Sequence, residues 1–385
     1  MTNALPDFEF SHATRRVIFG PGSFARVPGI LHDHDAARTL VILDGYFKGQ
    51  PLSARVEADL PGVTFWPIPP GEPTEASVIA AAQALTDLEP DAVLALGGGS
   101  AIDTAKAALM LAANPGPLKA LCWPEARITH PHPAIFIAAA TTAGSGSEVS
   151  ETAIVDIPGT IYKAHMRSPL LAPQVTILDP ELGLTVPREP TLTSGFDALT
   201  HAVEAFTSRA ANPMTDPLAL SGTKLIFDNL ARAADHPGDV EARGACLLGS
   251  AQAGIAFNSA HLGIAHAIAG ALGALHHVPH GLANALALPW TMAFNRPTIM
   301  EKDAVLADLF SAGSAAEGIS RLRHAVGLDR SLNDYIPAAC DLDEVAAAAM
   351  TSGQIRMNPR ETTQADILMI LSAMQTATGG YAPQI

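Results

Sequence analysis

An apolar strand, three consecutive glycines and a helix follow one another without a break in LALGGGSAIDTAK, residues 94–106. TLVILDG (39–45) and AIFIAAATTAGSGSE (134–148) are built the same way, each apolar run ending in a small or glycine-rich turn. Strands that feed glycine turns and then helices predict a mostly parallel α/β sheet, with any ligand beyond the carboxyl ends of the strands. Glycines let a phosphate approach the backbone, and the helix that follows offers free N–H groups and a favourable dipole. The 94–106 segment is neither G-x-G-x-x-G nor a Walker loop, since no G-K-[ST] follows, which argues against nucleoside triphosphate hydrolysis. One such loop is equally a helix-capping turn. Two of them, with TTAGSGSE (141–148) rich in hydroxyls, favour an extended cofactor carrying phosphates. Asp44 closes TLVILD, where a carboxylate can accept from the ribose hydroxyls of NAD and repel the 2′-phosphate of NADP; a capping or turn aspartate is the other reading.

The pattern changes near residue 190. Alanine- and leucine-rich stretches such as DPLALSGTKLIFDNLARAA show helical periodicity with few strand signals, so the second half reads as all-α. Pro180, Pro187 and Pro190 mark the junction. The expected division is an α/β dinucleotide-binding domain at 1–186 and a helical metal-binding domain at 187–385, with the ligand in a cleft between them.

Five of the fourteen histidines, His261, His266, His276, His277 and His280, crowd into twenty residues of the helical half. Upstream, Asp197 and His201 lie four apart in FDALTHAVEAF, whose apolar residues recur at helical spacing, so both occupy one helix face. His266 sits in a small-residue helix, and His280 follows a break at Pro279. One carboxylate with imidazoles suits a borderline divalent cation, Fe(II), Zn or Mn, with a position left for substrate. Alone, Asp-x-x-x-His is more often a helix-dipole contact or a surface pair. Histidines in so apolar a stretch, however, need a partner to offset desolvation.

Composition narrows the remaining classes. A net charge of −15 argues against nucleic acid or an anionic membrane as partner. Cys122, Cys246 and Cys340 are scattered and odd in number, as in a reduced cytoplasm. The opening residues lack a signal peptide's apolar run, and no stretch approaches about 20 uninterrupted apolar residues. The expectation is a soluble cytoplasmic protein.

Together GGGSAIDTAK, TTAGSGSE, DALTHAVEAF and HAIAG…VPHG resemble the iron-containing alcohol dehydrogenase family, in which lactaldehyde reductase and 1,3-propanediol dehydrogenase fall. The resemblance runs from FGPGSF (19–24) to about residue 295. It implies the dehydroquinate synthase-like fold of an α/β dinucleotide-binding domain and a helical domain. It also implies a homodimer and hydride transfer between NAD(H) and a small alcohol or aldehyde, an anionic one if Arg167 and His165 face the cleft. By motif, Asp197, His201, His266 and His280 would be the metal ligands. Asp44, Gly98, Gly99, Ser100, Thr141, Thr142, Ser150, Lys163 and Leu182 would meet the cofactor. Two positions depart from the family. Gly270 stands where many members carry a second histidine, leaving His261 or His277 to supply an imidazole beside His266. Glu72 stands where asparagine is common. Maleylacetate reductases share the fold but typically lack the full ligand set. Glycerol dehydrogenases and dehydroquinate-synthase-like lyases carry different ligand patterns, and a non-catalytic nucleotide-binding protein has no need of an ion.

Overall fold

A computed structural model describes residues 8–10, 12, 14–159, 163–328, 330–337 and 339–376. The chain divides into two units. One comprises Ala13–Val186 and Pro237–Leu248; the other comprises Pro187–His236 and the chain from Gly249 onward.

The first unit is organised by a six-stranded sheet. Its strands are β1 (Arg16–Phe19), β2 (Thr39–Asp44), β3 (Thr64–Ile68), β4 (Ala92–Gly97), β5 (Ile135–Ala140) and, after a hairpin of β6 (Thr152–Val155) and β7 (Ala164–Arg167), β8 (Val175–Leu178). The order is β1-β8-β5-β4-β2-β3 and every pairing in this sheet is parallel. Every residue of β4, β5 and β8 is buried, as unbroken apolar runs require of strands covered on both faces. Helices α1 (Val27–Asp33), α2 (Pro51–Asp59), α3 (Glu75–Leu88) and α4 (Gly99–Ala113) supply the crossovers. A reciprocal cap starts α3: Ser77 N donates to Thr74 Oγ1, and Thr74 N to Ser77 Oγ. From β2 the chain moves outward to β3; from β4 it moves the other way to β5. The order therefore reverses between β2 and β4, and at such a switch point the loops splay and open a crevice at the strands' carboxyl ends.

Segment 237–248 is tied to the rest of this unit by Arg243, which donates to Val186 O at 3.0 Å, and by Gly244, which lies against Pro180 and Phe19.

Every regular element described in the second unit is helical. In chain order they are α5 (Arg188–Thr207), α6 (Asp216–Asp235), the later part of α7 (Val240–Ala260), α8 (Ile264–His276), α9 (His280–Asn295), α10 (Met300–Leu309), α11 (Ala315–Ala325), α12 (Leu342–Met350) and α13 (Gln364–Thr376). Helix α5 packs on α6 and α9, and α8 packs on α9 and α12. Gly195 of α5 sits so close to α6 that a Cβ there would lie 2.2 Å from Leu230 Cδ1. Among the described residues no single helix is long and apolar enough to cross a membrane.

Candidate active site

Helix α5 presents Asp197, His201 and Glu204 at successive turns, all buried. Helix α8 starts just after Gly263, where a Cβ would stand 2.9 Å from Glu204 Oε1, so only glycine lets the chain pass this carboxylate. Glu204 then holds the start of α8 twice: Oε1 accepts from Ala265 N at 2.7 Å, and Oε2 meets His266 Nδ1 at 2.6 Å. With its proton on Nδ1, His266 turns Nε2 toward Asp197, 3.6 Å from Oδ1, and that buried nitrogen has no hydrogen-bond partner. Its ring stacks on His201 at 4.5 Å between centroids. The donor atoms of Asp197, His201 and His266 all lie within 4.8 Å of one another.

His280 opens α9. It reaches the group because Gly281 lies against α5, where a Cβ would meet Thr193 O at 2.1 Å. His280 Nε2 is 3.5 Å from Asp197 Oδ1, and its ring centroid is 5.5 Å from that of His266. It adjoins the tight group of three and is more exposed than they are. Asn284, one turn further along α9, donates to Asp197 Oδ1 at 2.7 Å.

These residues fit a divalent cation. A buried imidazole whose Nε2 has no hydrogen-bond partner, with a carboxylate fixing the opposite ring nitrogen, is the arrangement metal-binding histidines use. Burial would raise the pKa of Asp197, yet the imidazoles of His201, His280 and His266 hold it far below the ordinary carboxylate range. Burial would lower His266, yet the carboxylates of Asp197 and Glu204 push it up to about 9. The pocket is thus strongly cation-seeking.

The remaining histidines of the cluster lie elsewhere. His276 Nε2 faces Cys340 Sγ at 2.9 Å, and His277 caps α8 in left-handed backbone. His261, between α7 and α8, is also left-handed, with φ 59°. It follows by one turn Phe257, whose ring lies 4.5 Å from that of His201.

In the first unit, Asp44 and Gly97 end the adjacent strands β2 and β4. A Cβ at Gly97 would lie 2.5 Å from Asp44 Cβ, at Gly98 3.0 Å from Thr142 Oγ1, and at Gly99 2.6 Å from Ser145 Oγ. The three glycines therefore let the end of β2, the start of α4 and the loop after β5 close into one cradle, with the free N–H groups of the α4 start opening into it. Thr141 N donates to Gly97 O, and Thr141 Oγ1 is buried with no partner, a hydroxyl left for a ligand. Asp44 also caps the following turn by accepting from Tyr46 N at 3.0 Å, as the second of its sequence readings expects. Ser100 Oγ donates to Gly71 O, and Lys163 pairs with Glu72 at 2.8 Å. Leu182 is buried in the apolar core, and Ser150 is buried against Lys106. Asp44, Gly98, Gly99, Ser100, Thr141 and Thr142 thus gather at one end of the sheet, whereas Leu182 and Ser150 support it from within. The charge of Arg167 is met by Glu151 at 3.1 Å, which weakens the case for an anionic substrate there.

Sequence reasoning missed Glu204 and Asn284, and also the buried charges behind the cradle, Asp103, Lys106 and Glu148. The available signals were helical offsets: Glu204 is three residues past His201, and Asn284 four past His280. Burial pushes Glu148 up from 4.5 to about 7 and Lys106 down to about 8. Because Glu148 binds its proton more tightly in the folded state, the stability it confers is present below pH 4.5 and lost as pH rises to about 7. Glu148→Gln cannot ionise. Its melting temperature should climb relative to wild type across that interval and level off above it; a difference independent of pH contradicts the assignment.

The comparisons agree in both halves. The model of the family described as iron-containing alcohol dehydrogenase matches residues 14–180, and that of the C-terminal part of the Fe-containing alcohol dehydrogenase family matches 191–375. The probable alcohol dehydrogenase EutG of Escherichia coli (strain K12) is 34% identical over 365 residues, 92% of each chain. The NAD-dependent methanol dehydrogenase of Bacillus methanolicus is 31% identical over 373 residues, 92% of this chain and 96% of that one. A crystal structure of 1,3-propanediol oxidoreductase superposes with a TM-score of 0.90 at 30% identity, covering 96% of this chain and all of the other. This chain belongs to the iron-containing alcohol dehydrogenase family and is an oxidoreductase.

Proposed function

We propose that the chain interconverts a small aldehyde and its alcohol by hydride transfer with NAD(H). A divalent metal, Fe(II) with Zn or Mn as alternatives, would be held by Asp197, His201, His266 and His280. The observation that carries this is the buried, partnerless Nε2 of His266, oriented by Glu204 toward Asp197 and His201. When bound, the cation supplies the Lewis acidity that polarises a carbonyl or eases loss of a hydroxyl proton. The protein's own residues do the rest. Glu204 fixes the His266 tautomer, and Asn284 orients the Asp197 carboxylate. Gly98, Gly99 and Ser100 at the start of α4 offer N–H groups to a pyrophosphate. Thr141 and Thr142 add hydroxyls, Asp44 accepts from a ribose, and Lys163 supplies a cation near the second ribose. Ser150 and Leu182 hold the cradle's shape.

His261 is assigned the exchange of the substrate's hydroxyl proton with solvent. Left-handed backbone costs a non-glycine residue about 1 kcal/mol, a cost glycine would not carry. His261→Gly should lower turnover by about 10²-fold; wild-type turnover in that variant removes His261 from the reaction.

The reading is tested by anaerobic reconstitution with Fe(II), Zn(II) or Mn(II), followed by NADH and NADPH oxidation with short aldehydes. Metal-dependent oxidation that prefers NADH supports it. Tight NADH binding with no turnover on any aldehyde overturns it. We further assign the enzyme to the cytoplasm as a homodimer, supported by three free thiols and the family resemblance; sedimentation at the mass of a monomer contradicts the dimer.

A further inference from the structure

Helix α4 does two things at once. Its first residues form the glycine cradle, and one and two turns further on it carries Asp103 and Lys106. Both side chains are directed at the segment that follows β5. Asp103 Oδ1 accepts from the Ser147 hydroxyl, and Oδ2 accepts from Ile154 N at 3.1 Å. Lys106 Nζ donates to Ser150 O at 2.9 Å, to Ser150 Oγ at 3.3 Å and to Thr152 O at 2.8 Å. Glu148 O accepts from the Thr176 hydroxyl, which ties the same segment to β8. The second glycine loop is therefore anchored to the helix that begins at the first.

Stability alone does not account for this choice. Lys106 is fully buried, and removing an ammonium from water costs several kcal/mol that well-packed apolar side chains would not incur. Burial raises the Asp103 carboxyl as well, although Lys106 and the bonds from Ser147 and Ile154 oppose that rise. What the charged pair provides is direction. Its five bonds end on named atoms of residues 147–154, the stretch that continues directly from Thr141 and Thr142.

We propose that Asp103 and Lys106 are positioning residues for the dinucleotide: from one helix they hold the second glycine loop in register with the first, so that the cofactor meets a single preformed cradle. Neither residue touches the cofactor. The inference rests on the NAD(H) reading above, and it predicts that loosening the loop weakens cofactor binding before it weakens the fold.

The test uses the full-length protein and three measurements: NADH affinity by fluorescence titration, amide hydrogen exchange over 141–150, and melting temperature. Ser147→Ala removes the hydroxyl that bonds Asp103. It should weaken NADH binding about tenfold, speed exchange in 141–150, and leave the melting temperature within about 4 °C of wild type. Asp103→Asn, which keeps an oxygen acceptor for Ser147, should fall between wild type and Ser147→Ala. Lys106→Met should act in the same direction and more strongly; if it is insoluble, Ser147→Ala still decides. Wild-type NADH affinity in Ser147→Ala, or a lower melting temperature with no change of exchange in 141–150, overturns the inference while the NAD(H) reading stands. A wild-type protein that binds no NADH removes both.

Discussion

Replacing His266 by alanine is expected to abolish stoichiometric metal binding and to lower metal-dependent aldehyde reduction by at least about 10³-fold, since a cation's stabilisation of developing charge amounts to several kcal/mol and each 1.4 kcal/mol is a tenfold change in rate. The expectation comes from position, because the buried side chains of Asp197 and His201 form one tight group with it. His276 is the control. It lies on the same helix, faces Cys340, and takes no part in the group around Asp197. His276→Ala should keep metal content and turnover within about twofold of wild type, since it removes no member of that group. Metal analysis of both purified variants, alongside NADH oxidation, makes the comparison. Equal losses in the two would mean that histidine abundance, and not this geometry, binds the ion.

Asp44→Asn is expected to raise the efficiency with NADPH relative to NADH by roughly a hundredfold. A unit charge about 6 Å from a doubly charged 2′-phosphate, at an effective dielectric of about 40, is worth about 2–3 kcal/mol. Asparagine keeps an oxygen acceptor for Tyr46 N, so the turn after β2 should hold while the repulsion goes. Steady-state kcat/KM with each cofactor reads the change. An unaltered ratio would leave Asp44 as a cap alone.

The parallel sheet was legible because glycine after an apolar strand is a backbone constraint, which needs no knowledge of distant residues. Asp197 and His201 were legible for the same reason, since four residues on a helix fix one face. Glu204 and Asn284 were not. Whether a carboxylate three residues past His201 meets the Nδ1 of a histidine on another helix depends on how α5 and α8 pack, which the close approach of Gly263 to Glu204 permits, as that of Gly281 to Thr193 permits the contact of α9 with α5. The run of histidines also shows how proximity in sequence misleads. His276 lies ten residues after His266 along one helix, about 15 Å on and turned to another side. His280, further away in sequence, returns to the group because the chain breaks at Pro279 and starts α9 against α5. Strands β1, β6 and β7 have four residues each, too few for alternation to distinguish them from loop. The bond from Arg243 to Val186 O, which ties 237–248 to the α/β unit, joins residues 57 apart and carries no local signal.

The central claim, a metal-dependent NAD(H) enzyme built on the group around Asp197, is tested most directly by titrating chelated, anaerobic protein with Fe(II) while following NADH oxidation by a short aldehyde. The account predicts that activity rises linearly to a plateau at one Fe(II) per chain and that His266→Ala shows no rise. Full activity in the chelated protein, or an equal rise in His266→Ala, would contradict it.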